Sequence, residues 1–179
     1  MQPSAGARAD TDADPESTAR SIVLRLLTGA PRSRHQLAEA LTRRGIEEAV
    51  VERVLDRFTD VGLIDDAEYA QMLVRSQLES RGLARRALAV ELQRKGVGAD
   101  EAEAALSTVS AEDEEQRARD LLRKRWATGA RLDPEVRARR AMGMLARKGY
   151  PMGLASRLVR EMVDDGAQEP WEPTVDDLD

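Results

Sequence analysis

Three pairs of basic side chains, each followed at once by a glycine, are the residues of this sequence best placed to do chemistry: Arg43-Arg44-Gly45, Arg94-Lys95-Gly96 and Arg147-Lys148-Gly149. Guanidinium and ammonium groups donate hydrogen bonds and accept none, so their chemistry is the binding of anions, phosphate or carboxylate. Other reactive groups are scarce. His35 is the only histidine and cysteine is absent, which excludes a histidine metal cluster, a thiolate metal site, a cysteine nucleophile and disulfides. No Gly-x-x-x-x-Gly-Lys-Ser/Thr string is present to make a Walker phosphate loop. Asp65 and Asp66 form an adjacent carboxylate pair, which reads more readily as a helix start than as a metal site. No nucleophile, base and orienting group can be named together. The expectation is therefore a protein that binds and does not catalyse, with no catalytic residue, metal or cofactor.

The elements that position the basic pairs follow from their spacing. The glycines stand 51 and 53 residues apart, and a fixed period near 50 marks one structural unit used three times. Four residues before each glycine come Leu41, Leu92 and Leu145; eight before come Leu37, Leu88 and Ala141. Spacings of four share one helix face. After the glycines the apolar positions recur as Ile46, Val97 and Tyr150, then Leu55, Leu106 and Val159, then Phe58, Val109 and Met162. Each glycine thus separates two amphipathic helices. A further helix precedes each pair, at about 19–28, 66–81 and 112–127, with Tyr69 and Trp126 as its core anchors. Met142, Met144, Met152 and Met162 read as packing residues. No run shows the period-2 alternation of a strand. The fold class predicted is all-α: three tandem three-helix repeats in an elongated, curved helical array. The repeats span 19–64, 65–110 and 111–163, between acidic extensions at 1–18 and 164–179 that are predicted to be disordered.

Local signals mark the helix ends. Ser33 with Gln36 and Asp65 with Glu68 have capping-box spacing, and Asp133-Pro134 reads as an N-cap followed by proline at the first helical position. Gly29, Gly82 and Gly129 close the first helices or their loops, with glycine tolerating a left-handed turn. The basic pairs admit two readings at this level. Cations at a helix C-terminus complement its dipole by roughly 0.3–1 kcal/mol each, so capping alone explains any one of them. Recurrence at equivalent points of stacked units instead lays the pairs out as a row, extended by Arg32 and Arg34, Arg85 and Arg86, and Arg139 and Arg140. A row of cations suits a polyphosphate backbone or an acidic groove on a polymer.

The net charge of −5 divides unevenly: residues 1–18 carry −3, residues 164–179 carry −7, and the body between them carries +5. A basic body under acidic tails points to a polyanion or an acidic protein face as partner, with the tails competing for the basic row. Few aromatics accompany the bases, which gives little support to base stacking on single strands. No apolar run approaches the roughly 18 residues of a membrane span, and the acidic start lacks the pattern of a signal peptide. A cytoplasmic monomer without membrane contact is expected.

The stretch Gly62-Leu-Ile-Asp-Asp-Ala-Glu-Tyr-Ala70, with Val74-Arg75, Arg85-Arg86 and Leu92-Gln-Arg-Lys-Gly-Val97 downstream, resembles the central signature of the RecX family, regulatory partners of the RecA recombinase. The resemblance covers about residues 19–163 and is densest over 61–97. It implies three tandem three-helix repeats that bind RecA and its nucleoprotein filament, along the filament groove. It implies a protein that limits filament growth, ATP hydrolysis and strand exchange in recombination, DNA repair and the SOS response, with weak direct DNA contact through the basic body. The implied contact residues are Arg85, Arg86, Arg94 and Lys95, and more loosely Arg43, Arg44, Arg147 and Lys148. Residues 33–64 alone also resemble a winged helix-turn-helix, the alternative being a DNA-binding transcription regulator. That reading requires a two-stranded wing after Ile64, where Asp65-Asp66 begins a helical pattern.

Overall fold

The computed structural model describes residues 14–168, with side chains to Asp165, and every regular element among them is an α-helix. Nine helices follow in chain order: α1 (Pro15–Gly29), α2 (Arg34–Thr42), α3 (Glu48–Asp60), α4 (Asp66–Arg81), α5 (Arg85–Arg94), α6 (Ala99–Leu106), α7 (Ala111–Thr128), α8 (Pro134–Arg147) and α9 (Met152–Gln168). The extensive helix–helix packing all falls within the triplets α1–α3, α4–α6 and α7–α9, and each triplet closes its own apolar core. The residues that recur around the glycines supply those cores. Leu41, Leu92 and Leu145 are fully buried, as are Leu37, Leu55 and Ala141, with Leu88, Leu106 and Val159 nearly so. Tyr69 and Trp126 anchor the second and third cores. Met142, Met144 and Met162 pack on the third core, but Met152 stands 63% exposed at the start of α9. No strand is present among the described residues, and α4 occupies the place of the wing that a winged helix-turn-helix requires.

Two boundaries differ from expectation. Residues 15–18, read as part of an unstructured extension, form the first turn of α1, where Asp14 accepts from the Glu16 amide with Pro15 at the first helical position. This is the same device as Asp133-Pro134, where Asp133 accepts from the Glu135 amide at 2.9 Å. Residues 164–168, read as tail, continue α9; Gly166 does not stop the helix, and the first proline beyond it is Pro170. The disorder expected for 1–13 and 169–179 concerns residues outside those described. The Ser33 capping box closes both ways. Asp65 accepts from the Glu68 amide at 2.8 Å. Of Gly29, Gly82 and Gly129, only Gly82 takes the left-handed turn.

Candidate partner-binding surface

The three basic-basic-glycine strings end α2, α5 and α8 in the same way. Gly45, Gly96 and Gly149 have φ of +77°, +69° and +88°. The amide after each glycine reaches back to the buried leucine's carbonyl: Ile46 to Leu41 at 3.3 Å, Val97 to Leu92 at 3.2 Å, Tyr150 to Leu145 at 3.1 Å. This six-residue closure needs a left-handed residue and places an apolar side chain after it. The capping account of the glycines is thus physically complete for each unit taken alone.

A second duty appears between units. Ser33, at the start of α2, is fully buried and its hydroxyl donates to the Lys95 carbonyl, while the Arg34 amide donates to Asp66 Oδ1 at 2.8 Å. One unit on, the Ala84 amide donates to the Lys148 carbonyl at 2.9 Å and the Arg85 amide to Glu114 Oε1 at 2.8 Å. The two joints repeat: the first turn of a unit's second helix seats on the basic-glycine turn of the next unit and is capped by a carboxylate from the start of that unit's first helix. The missing side chain makes the fit. A Cβ on Gly96 would lie 2.3 Å from His35 Cβ, and one on Gly149 would lie 2.7 Å from Ala87 Cβ and 2.8 Å from its backbone nitrogen; at Gly45, in the first of the described units, nothing stands within 4 Å. Ala84 is buried in the third unit's core, not its own. Tyr150 adds a bond to the second joint, its hydroxyl donating to Gly82 O at 3.1 Å, and burial pushes that hydroxyl up to about 12. Burial likewise pushes the Asp66 carboxyl up, against the lowering effect of the Arg34 amide.

The joints sort the basic residues. Arg34 and Arg85, equivalent in their units, turn their guanidiniums onto their own third helices: Arg34 onto Glu52 (2.5 Å) and Asp56 (2.8 Å), Arg85 onto Glu103 (2.6 Å). Arg44 caps α2 through the Ala40 carbonyl at 2.8 Å. Arg43 pairs with Glu39 and Arg94 with Glu91. Lys95 and Lys148 give their carbonyls to the joints, and the Lys148 ammonium also donates to Arg81 O. Arg86 and Arg147 have no carboxylate partner among the described residues. They come from different units and line one open cleft of about 430 Å³ at the second joint, together with Arg81. Arg139 and Arg140 are exposed on α8. Asp65 and Asp66 act as caps on two different helices, and no cluster of metal-ligating side chains occurs among the described residues.

The sequence carries only a trace of the joints. Twelve residues before each glycine stand Ser33, Ala84 and Arg137: small in the first two units, each followed by another, and large in the last of the described units. In the third unit Arg137 lies over the Trp126 ring at 4.1 Å and donates to the Trp126 carbonyl. α8 there runs a turn further back than its counterparts, to Pro134.

Comparison with known proteins adds to this geometry. Three family models match in series, described as the first, second and third three-helix domains of RecX, over residues 19–58, 65–106 and 112–159. The chain is 55% identical to the regulatory protein RecX of Thermobifida fusca over 82% of this chain and 79% of that protein. It is 51% identical to the regulatory protein RecX of Streptomyces coelicolor, over 87% and 83%. The fold resembles a crystal structure of RecX from Lactobacillus salivarius, with a TM-score of 0.73, 21% identity, and coverage of 84% of this chain and 97% of that one.

Proposed function

The chain belongs to the RecX family, and from that premise we propose that it binds the RecA recombinase and the RecA–DNA filament and restrains filament growth, ATP hydrolysis and strand exchange. The family is regulatory and not enzymatic. The setting of this activity is recombination, DNA repair and the SOS response, in the cytoplasm. The observation that carries the reading is the meeting of Arg86 and Arg147, two cations from successive units without carboxylate partners among the described residues, in one cleft at a joint. A partner that is itself a polymer engages such repeated sites together, and avidity does not require any one site to be tight. DNA contact is the minor component. Arg34, Arg44 and Arg85 are committed to the fold, which leaves a short cationic patch and not a continuous stripe.

The test is RecA ATPase on single-stranded DNA with added protein. Suppression below one molecule per RecA subunit is expected. Reversing Arg86 and Arg147 to Glu should raise the half-inhibitory concentration at least tenfold, since bonds to charged groups are worth about 1.5–3 kcal/mol each. The Arg43→Glu/Arg44→Glu variant should shift it less. No suppression at excess protein would overturn the reading; equal effects of the two variants would return the contact to the whole basic body.

A further inference from the structure

The cleft at the second joint is not a plain anion site. Beside Arg81, Arg86 and Arg147 it presents Leu83, Val90 and Met152, and Val90 and Met152 are 51% and 63% exposed. Glu91 also lines it, but lies within reach of both Arg81 (3.9 Å) and Arg94 (3.4 Å), which leaves Arg86 and Arg147 uncompensated. A phosphate backbone gains nothing from the two apolar side chains. An extended peptide with carboxylates around an apolar residue uses both halves of the lining.

The sequence beyond Gln168 has that chemistry. Residues 169–179 carry five acids and no base, and finish Asp176-Asp177-Leu178-Asp179. Met152, at the cleft, is the first residue of α9, and these residues follow the helix's last. A 17-residue helix is about 25 Å long at 1.5 Å per residue. The seven residues 169–175, extended, reach about 23–25 Å, which matches the helix, so the segment can run back along α9 with its last four residues at the cleft.

We propose that the cleft between α5 and the α8–α9 turn is a docking site for residues 176–179 of the same chain, with the aspartates against Arg86 and Arg147 and Leu178 against Val90 and Met152. The docked segment covers the cations assigned above to the partner, so an acidic partner surface must displace it. That consequence rests on the RecA reading; the docking does not.

The cysteine-free chain allows a clean experiment. A nitroxide on Thr174→Cys of the full chain should selectively erase the amide resonances of Val90, Arg147 and Met152 at low salt. The effect should vanish at about 1 M salt, where the screening length is about 3 Å. It should also vanish in the Arg86→Glu/Arg147→Glu background, with helicity checked by circular dichroism. Leu178→Asp, which changes no residue of α1–α9, should weaken it at constant fold. Retained resonances at low salt, or the same pattern in the Arg86→Glu/Arg147→Glu background, would overturn the proposal. So would broadening that arises only when labelled chains are mixed with isotope-labelled, nitroxide-free ones, since the occupant would then be a second copy.

Discussion

Single residues in this chain carry two duties, and the glycines separate them. Gly45, Gly96 and Gly149 share the left-handed turn, whose occupation by an L side chain costs roughly 1–2 kcal/mol. Only the latter two also receive a neighbouring unit, and there a Cβ would strike His35 Cβ or the Ala87 backbone. Overpacking of this kind adds about 1–3 kcal/mol. Gly45→Ala should therefore lose about 1–2 kcal/mol and Gly149→Ala about 2–5, read as denaturant midpoints at unchanged slope. Equal losses would reduce all three to caps. The first duty was legible because a helix end is written in adjacent residues: two bases, a glycine, then an apolar residue. The second was not, because Ser33 and Lys95 are 62 positions apart and periodicity reports what recurs within a unit, not what meets between units. For the same reason the sequence offered eight basic residues as one site, whereas the tertiary ion pair of Arg85 with Glu103 and the local bonds of Arg43, Arg44 and Arg94 leave a smaller free set.

At the scale of elements, apolar periodicity gave the helix faces, and Leu41, Leu92 and Leu145 sit where it placed them, fully buried. What the period could not reveal is how α7 and α9 are tied on the solvent side. Glu115 accepts from Arg157 at 2.7 Å and Arg119 at 2.8 Å, and both arginines also bond Glu161. These hydrogen bonds, that from Arg157 foremost, hold the Glu115 carboxyl down to about 2 from the ordinary 4.5. The folded value lies below the unfolded one, so the contribution is complete above pH 4.5 and is lost as the pH falls toward 2. All four groups face solvent, and salt should weaken the effect. Glu115→Gln should flatten the acid limb of an unfolding titration over that window, with only a small loss at neutral pH. A wild-type acid limb unchanged by this substitution would assign acid sensitivity to other carboxylates.

Among the described residues, hydrogen bonds between units join only successive ones, and stability should follow the rules of repeat arrays: an intrinsic term per unit plus a term per joint. The joints are thin. The second is held by Ala84 in the third core, the Arg85–Glu114 and Ala84–Lys148 bonds, the Tyr150 hydroxyl and the Lys148 ammonium. Glu114→Ala with Tyr150→Phe removes two of these bonds and takes from the cores only the Tyr150 hydroxyl. Each bond lost leaves a half-buried donor or acceptor unpaired, at about 1–3 kcal/mol. Among the described residues the third unit has only this joint, so its support from neighbours weakens most, whereas the second keeps its joint to the first through Ser33 and Asp66. Native-state hydrogen exchange should therefore show the amides of Leu122, Leu145 and Leu158 losing about tenfold or more in protection, those of Leu88 and Leu92 losing less, and those of Leu41 and Leu55 unchanged. A uniform loss across all six would mean one cooperative core, and the three-unit description would then hold for architecture but not for energetics.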